Sequence, residues 1–509
     1  MYVPIVEAKS QESNNGVVFF FFPFENLLHP LPHSKPYGSS VRALSSLCRT
    51  WPPRDNPYHP FQRSSLQSSV SDYSHLLRFQ CVQFPSREVG LPDGLENLFQ
   101  ATDFDSVLKF FQAFGILQQR MEDFMESDPP DCIVSDSFFP WTSDFANRLQ
   151  IPRLVFDGYS VFAVSLIEAV RGPDSPHHKA KSESDPFLIP GLPHPITMTL
   201  CQLPDYVKTP DSFGMMMEKF RGAELKSYGR LVNGFVEIEE EYKEHYQKIM
   251  GYKIYHLGPS FLVNKTDQEK SERGMKSMVS DHECLDFLNS KPPNSVVYIC
   301  FGSSCFFSDT QLHEIASGIE SSGHPFIWVV FRKDQNDEDD QWLPMGFKDR
   351  VMKRERRGMI IKGWAPQALI LEHEATGGFL SHCGWNSVME GICAGVPTIT
   401  WPLTAEQFYN EKLITQVHGI GVEVGSEEWT VTAGHERKKV VSRDRIEKAV
   451  KKIMDVGDEA EQMRKRVKEL EKKAKAAVEE SGSSQKNLTL LIEDLGRNRA
   501  ERKATVTRP

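Results

Sequence analysis

The sequence predicts an α/β protein of two domains, and three observations predict it. From Phe79 onward, short β-branched or aromatic runs alternate with helical patterns, the rhythm of βα units and a mainly parallel sheet. A polar stretch at about residues 262–280, "NKTDQEKSERGMKSMVSD" at its heart, breaks that rhythm and reads as an interdomain linker. The 509 residues suffice for two or three domains, each burying its own core.

Residues 1–15 read as a disordered leader. In the first domain, 16–253, strands are expected at Val17–Phe22, Phe79–Phe84, Cys132–Ser135, Arg153–Phe156 and Gly234–Ile238, with helices at Ser106–Glu126, Trp141–Leu149 and Ser212–Val232. Residues 30–75 do not fit. Pro30, Pro32, Pro36, Pro52, Pro53, Pro57 and Pro60 lie among many serines without any sustained periodicity. The second domain, 254–480, has strands expected at Ser295–Phe301, Phe326–Val330, Met359–Lys362, Thr376–Ser381 and Pro397–Trp401. Its helices include Gln311–Ser321 and Asn386–Ala394, and charged helices follow from about Arg443 to Glu480. Residues 481–509 supply a helix, Ser483–Leu495, and a tail, "RNRAERKATVTRP", expected to be disordered because it has no apolar face.

Composition excludes several function classes. The residues are 39% hydrophobic, 25% charged and 11% aromatic, as in ordinary globular proteins. A formal charge of −10, from 59 Lys plus Arg against 69 Asp plus Glu, argues against general affinity for nucleic acid or anionic membrane. Nine cysteines without CxxC pairs read as reduced thiols of an intracellular protein. The N-terminus lacks a signal-peptide pattern and "VVFFFFPF" is too short to span a bilayer, so a cytoplasmic location without a membrane span is expected. No Gly-x-Gly-x-x-Gly follows a strand, which disfavours a nicotinamide dehydrogenase.

The chemistry concentrates in "GGFLSHCGWNSVMEGICAGVP", Gly377 to Pro397. "GGFLS" ends a strand and "NSVMEGICA" begins a helix, so "HCGW" is the turn at a strand's carboxyl end, where open α/β sheets bind ligands. Asn386 and Ser387 are good cap residues, and the free N–H groups with the helix dipole favour an anion such as phosphate. His382 adds a further hydrogen-bond donor. Glu390 follows Asn386 by four residues and Ser387 by three, so it shares their face and suits the hydroxyls of a sugar. The bland alternative is a capped helix with His382 and Trp385 in its packing.

The wider window "WAPQALILEHEATGGFLSHCGWNSVMEGICAGVPTITWPLTAEQ", Trp364 to Gln407, resembles the signature box of plant UDP-dependent secondary-product glycosyltransferases. The resemblance implies that Trp364 stacks on uracil, that Ala365 pairs with it through the backbone, and that Gln367 and Glu390 hold the ribose. His382, Gly384, Asn386 and Ser387 would form the diphosphate turn, and Trp385, Glu406 and Gln407 would contact the sugar. A terminal glutamine is usual where the sugar donor is UDP-glucose. "SVVYICFGS" resembles the first strand and turn of the family's second domain, with Ser303 at the phosphates. "GLPDGLEN", "PDCIVSDSFFPW" and "IPRLVFDG" extend the likeness over roughly residues 76–495, and "FPSREVGLPDG" and "WPLTAEQFYNEKL" most resemble a subgroup acting on flavonoids and terpenoids. The implied fold is the glycosyltransferase B architecture, two Rossmann-like domains facing across a cleft.

The catalytic half departs from the family. There a His after the first strand acts as base and an Asp after a later strand orients it. Asp136 in "VSDSFFPW" matches that Asp, with a helix-capping Asp as the alternative. "FFPFENLLHPLPHSKPYGSS" places His29 and Pro32 in the family register, but Leu28 stands where the family has glycine, and Pro30, Pro32 and Pro36 forbid the following helix. His33 is a second candidate, and a surface histidine is the alternative for both. The distance from His29 to "GLPDG" matches the family while the intervening residues do not, the pattern left by a mis-spliced or frame-shifted stretch. Asp157 replaces a common His. The expected activity is inverting transfer of glucose from UDP-glucose to a hydroxyl of a small lipophilic acceptor. The expected protein is a monomer whose partners are the sugar donor and acceptor, with no metal and no resident cofactor. A catalytically impaired UDP-sugar-binding protein is the other reading.

Overall fold

A computed structural model describes residues 2–9, 16–20, 77–92, 103–156, 158–171, 175–209, 211–263, 281–302, 305–331, 341–431 and 437–506. They fall into two compact units: Met1–Val161 with Pro210–Lys265 and Lys475–Pro509, and Phe162–Thr209 with Thr266–Ala474. Each is an open α/β layer structure. Phe162–Thr209 therefore groups with the second unit rather than with the expected 16–253 domain, and residues from 254 to Lys265, expected in the second domain, belong to the first. The expected linker lies almost wholly outside the described residues.

The second unit is built on a six-stranded sheet in the order β12-β11-β10-β13-β14-β15. Its strands are β10 (Val296–Cys300), β11 (Phe326–Val330), β12 (Gly358–Lys362), β13 (Thr376–Ser381), β14 (Thr398–Thr400) and β15 (Gly421–Glu423), every pairing parallel. The central β10 (VVYIC) and its neighbour β11 (FIWVV) read as unbroken apolar runs because both their faces are covered. Val297, Ile299 and Phe301 enter one core with Phe326 and Trp328, while Val296, Tyr298 and Cys300 enter another with Ile327 and Val329. β10 and β13 are neighbours although β11 and β12 lie between them in sequence, so the chain reverses its direction of winding between these two strands. A ligand crevice opens at the carboxyl ends of such a pair.

The first unit carries a seven-stranded sheet in the order β3-β1-β2-β4-β5-β8-β9. β2 (Gly16–Phe20), β4 (Cys132–Ser135), β5 (Arg153–Val155), β8 (Gly229–Val232) and β9 (Lys253–His256) run parallel. Three expectations are corrected here. Residues 1–15 contain β1 (Tyr2–Lys9), antiparallel both to β2 and to β3 (Leu77–Gln83); the β-branched residues Val3, Ile5 and Val6 fit a strand, and Lys9 pairs with Gly16. The strand expected at Gly234–Ile238 lies instead at the fully buried "GRLV" of β8, and the acidic run after it starts the helix Val236–Met250. Finally, the helix from Ser483 continues through the expected disordered tail to Val506. Buried Leu488 and Leu491 dock its first half, and charge docks the rest: Arg502 donates to Asp131 at 2.8 Å, Arg499 pairs with Asp131 at 3.4 Å, and Asp494 accepts from Tyr255 and from Lys253 at 2.5 Å.

A two-stranded hairpin, β6 (Pro186–Ile189) with β7 (Ile196–Thr199), completes the strands of the second unit. Among the described residues no helix is long and apolar enough to cross a membrane.

Candidate active site at the β13 turn

β13 ends at Ser381, three residues turn, and the helix Trp385–Cys393 begins. Gly384 is the N-cap, so Asn386 and Ser387 lie inside the first turn rather than capping it, as the sequence had led us to expect. The turn is sharp enough to hold Cys383 at φ 65°. Ser381 supports it, its hydroxyl accepting from the Cys383 N–H at 3.2 Å.

His382 fills the gap between this turn and the one after β10. A Cβ on Gly302, which has φ +76°, would stand 3.0 Å from the imidazole, and one on Gly384 would stand 2.6 Å from Nε2. The two glycines therefore leave a slot the ring occupies, at the point where the winding reverses. Burial pushes His382 down to about 4, so it is a neutral imidazole with one N–H to donate. Its Nδ1 is buried without a hydrogen-bond partner.

One turn into the helix, Glu390 is nearly buried and accepts from the Gln367 amide at 2.6 Å. The same amide reaches Ser387 Oγ at 3.4 Å, and Gln367 Oε1 accepts from the buried Tyr298 hydroxyl at 3.2 Å. Gln367 begins the short helix Gln367–Glu372 just after the half-exposed Trp364 and the buried Ala365. Residues from β10, from the loop after β12 and from the helix after β13 thus meet through hydrogen bonds. Tyr298 was missed in the sequence because an inward-facing strand tyrosine is indistinguishable there from core.

Glu406 and Gln407 reach the same turn from the other side. Glu406 Oε1 accepts from the Trp385 N–H at 3.3 Å and from the Asn410 amide at 3.2 Å, and Asn410 also donates to the Cys383 carbonyl at 3.0 Å. Gln407 begins the helix Gln407–Lys412, and its Oε1 accepts from the Leu403 and Thr404 N–H groups at 2.9 and 3.0 Å. That fixes the amide's orientation and leaves its NH2 group as a hydrogen-bond donor. Asn410 was a further miss, since it follows the motif by three residues.

In the first unit, Asp136 lies in the turn between β4 and the helix Trp141–Arg148, nearly buried, with Oδ1 accepting from the Phe138 N–H at 2.9 Å. It does not cap that helix, whose N-cap is Pro140. Buried Arg153 anchors the turn by donating to the Asp136 carbonyl at 3.1 Å and to Ser135 Oγ at 2.9 Å. Beside Asp136, the rings of Phe111, Phe138 and Phe220 form a triangle with centroids 4.8, 5.4 and 5.7 Å apart. Partly buried Phe213, Met216 and Met217 extend that apolar surface. His29, His33, Ser303 and Asp157 lie outside the described residues.

The profile of the family described as UDP-glucoronosyl and UDP-glucosyl transferase matches residues 264–457, which include the whole β13 turn. UDP-glucosyl transferase 73CC6 of Saponaria officinalis is 50% identical over 435 residues, 84% of this chain and 88% of the relative. The chain belongs to this UDP-glycosyltransferase family. A second relative, anthocyanin 3'-O-beta-glucosyltransferase of Gentiana triflora, is 45% identical over 482 residues, 94% of this chain and 98% of its own length. The crystal structure of UGT73P12 of Glycyrrhiza uralensis with glycyrrhetinic acid 3-O-monoglucuronide superposes with a TM-score of 0.75 at 42% identity, over 83% of this chain and 84% of that one. The fold is that of the glycosyltransferase B enzymes, and like its family this chain is a UDP-glycosyltransferase.

Proposed function

We propose that the chain transfers glucose from UDP-glucose, with inversion, to a hydroxyl of a flavonoid, phenolic or terpenoid acceptor. The observation that carries this reading is the hydrogen-bonded group Tyr298, Gln367, Glu390 and Ser387 beside the glycine-lined slot of His382. Trp364 and the Ala365 backbone take uracil, Gln367 and Glu390 take the ribose hydroxyls, and His382, Gly384, Asn386, Ser387 and Ser303 take the diphosphate. Trp385, Glu406 and Gln407 contact the glucose.

The acceptor lies against the partly buried Phe138, Phe213, Met216 and Met217, which cover the Phe111 and Phe220 core. Its hydroxyl gives its proton to His29, which Asp136 orients, and the oxygen attacks the anomeric carbon. The new C–O bond forms as the bond to the β-phosphate oxygen breaks. The electron pair leaves with UDP, whose developing charge meets the N–H groups opening the helix Trp385–Cys393 and the neutral His382 N–H. These groups supply the charge stabilisation, so no metal and no resident cofactor enter the reaction. Inversion agrees with the β-glucoside in the name of the Gentiana relative, since UDP-glucose carries its sugar in the α configuration. The protein works as a cytoplasmic monomer.

The test is transfer by the full chain from UDP-glucose to a panel of flavonols, simple phenols and triterpenoids, with the anomeric configuration read by NMR. A β-glucoside whose formation is abolished by His29→Ala supports the reading. Tight UDP binding with no turnover on any acceptor overturns it in favour of an impaired UDP-sugar-binding protein.

A further inference from the structure

The loop that presents Glu406 and Gln407 does not hold itself. Ala405 sits at φ 49°, a left-handed conformation that an alanine adopts only when its surroundings impose it. The imposition comes from Trp429. Its indole N–H donates to the Ala405 carbonyl at 3.0 Å, and its ring is buried. The residues on either side share the task. Thr404 and Thr430 form an isolated parallel bridge, the Thr404 hydroxyl donates to the Thr430 carbonyl at 2.6 Å, and the Thr430 N–H donates to the Leu403 carbonyl at 3.1 Å.

Trp429 is in turn anchored from the segment Phe162–Thr209 of the same unit. Its own N–H donates to the Cys201 carbonyl at 3.2 Å, and Tyr206 meets its ring edge-on, centroids 6.1 Å apart. Trp429 thus ties a segment from the first half of the sequence to the carbonyl one residue before Glu406.

We propose that Trp429 is a positioning residue for sugar recognition: through the Ala405 carbonyl it fixes the angle at which Glu406 and Gln407 meet the hexose, so that it sets sugar-donor selectivity without touching the donor. The proposal rests on the assignment of Glu406 and Gln407 to the hexose. The nucleotide is held by Trp364, Gln367, Glu390 and His382 on other elements, and the loop meets the diphosphate turn through the bond from the Trp385 N–H to Glu406 at 3.3 Å. A displaced loop therefore costs hexose contacts more than nucleotide contacts.

The experiment compares Trp429→Phe, which keeps an aromatic ring and deletes the N–H, with the double variant Trp429→Phe/Ala405→Gly, in which a glycine takes the left-handed conformation without being held there. For each, kcat and KM are measured with UDP-glucose and UDP-galactose, and Kd for UDP by calorimetry; Gln407→His is run in parallel. The expected result is a KM for UDP-glucose raised about 3- to 10-fold and a glucose-over-galactose ratio of kcat/KM lowered several-fold in Trp429→Phe, both moved back toward the parent in the double variant, with Kd for UDP weakened less than KM rises. Should Trp429→Phe not fold, Tyr206→Leu, which removes the ring that meets Trp429 edge-on, decides on the same readouts. An unchanged sugar ratio, or a Kd for UDP that weakens as much as KM rises, overturns the positioning role. If Gln407→His leaves the sugar ratio unchanged, the hexose assignment falls and this proposal with it.

Discussion

The imidazole of His382 occupies the space a side chain on Gly384 would need, with Nε2 only 2.6 Å from where that Cβ would stand. Gly384 has φ −60° and ψ 140°, a conformation open to any residue, so the requirement for glycine is steric and not conformational. Gly384→Ala should therefore leave the fold intact and tilt the ring out of its slot. If His382 donates to the diphosphate, the variant loses about 1.5–3 kcal/mol of UDP affinity, the range for a hydrogen bond to a charged group. Calorimetric titration with UDP checks this, and an unchanged Kd would show that the slot is mere packing.

The neutral His382 makes a signed prediction for pH. Burial places its folded value at about 4 against an ordinary 6.5, so the unfolded chain binds the proton first as pH falls. Its contribution to stability is complete above about 6.5 and is lost progressively as pH falls from there toward about 4. His382→Asn cannot titrate, so its Tm should drop less than the parent's between pH 7 and pH 4.5. Parallel drops in the two proteins would mean that the ring is not held neutral by burial.

Asp136→Asn separates orientation of the base from nucleotide binding. Asparagine keeps an oxygen to accept from the Phe138 N–H, and Arg153 holds the turn through the backbone carbonyl, so the turn should survive. Loss of the carboxylate should lower kcat by about 10²- to 10⁴-fold, the usual worth of acid-base assistance. Kd for UDP should not change. A kcat within threefold of the parent would remove Asp136 from the mechanism.

What could be read in the sequence follows from how local each feature is. The β13 turn was legible because strand, turn and helix are consecutive, and each of its residue types answers to one need of a phosphate or a sugar. The strands β10 and β11 were legible because a strand buried on both faces writes itself as an unbroken apolar run, and β12 to β14 because they continue the βα rhythm. Trp429 and Asn410 were not, because their partners, Ala405, Cys201 and Cys383, are set by tertiary contacts rather than by spacing. Arg153 begins an expected strand, and nothing local marks it as the buried anchor of the Asp136 turn. The helix through 497–506 was missed because its docking depends on Asp131, far away in sequence, and not on an apolar stripe.

The measurement that bears most directly on the account is calorimetric titration of UDP into the parent protein and into Glu390→Ala. Glu390 accepts from Gln367 at 2.6 Å and stands one turn behind the helix N-terminus, where the ribose hydroxyls would meet it. The account predicts saturable binding by the parent and a loss of about 1–3 kcal/mol in the variant, roughly a 5- to 150-fold rise in Kd. A Kd within twofold of the parent's, or a parent that does not bind UDP, would contradict it.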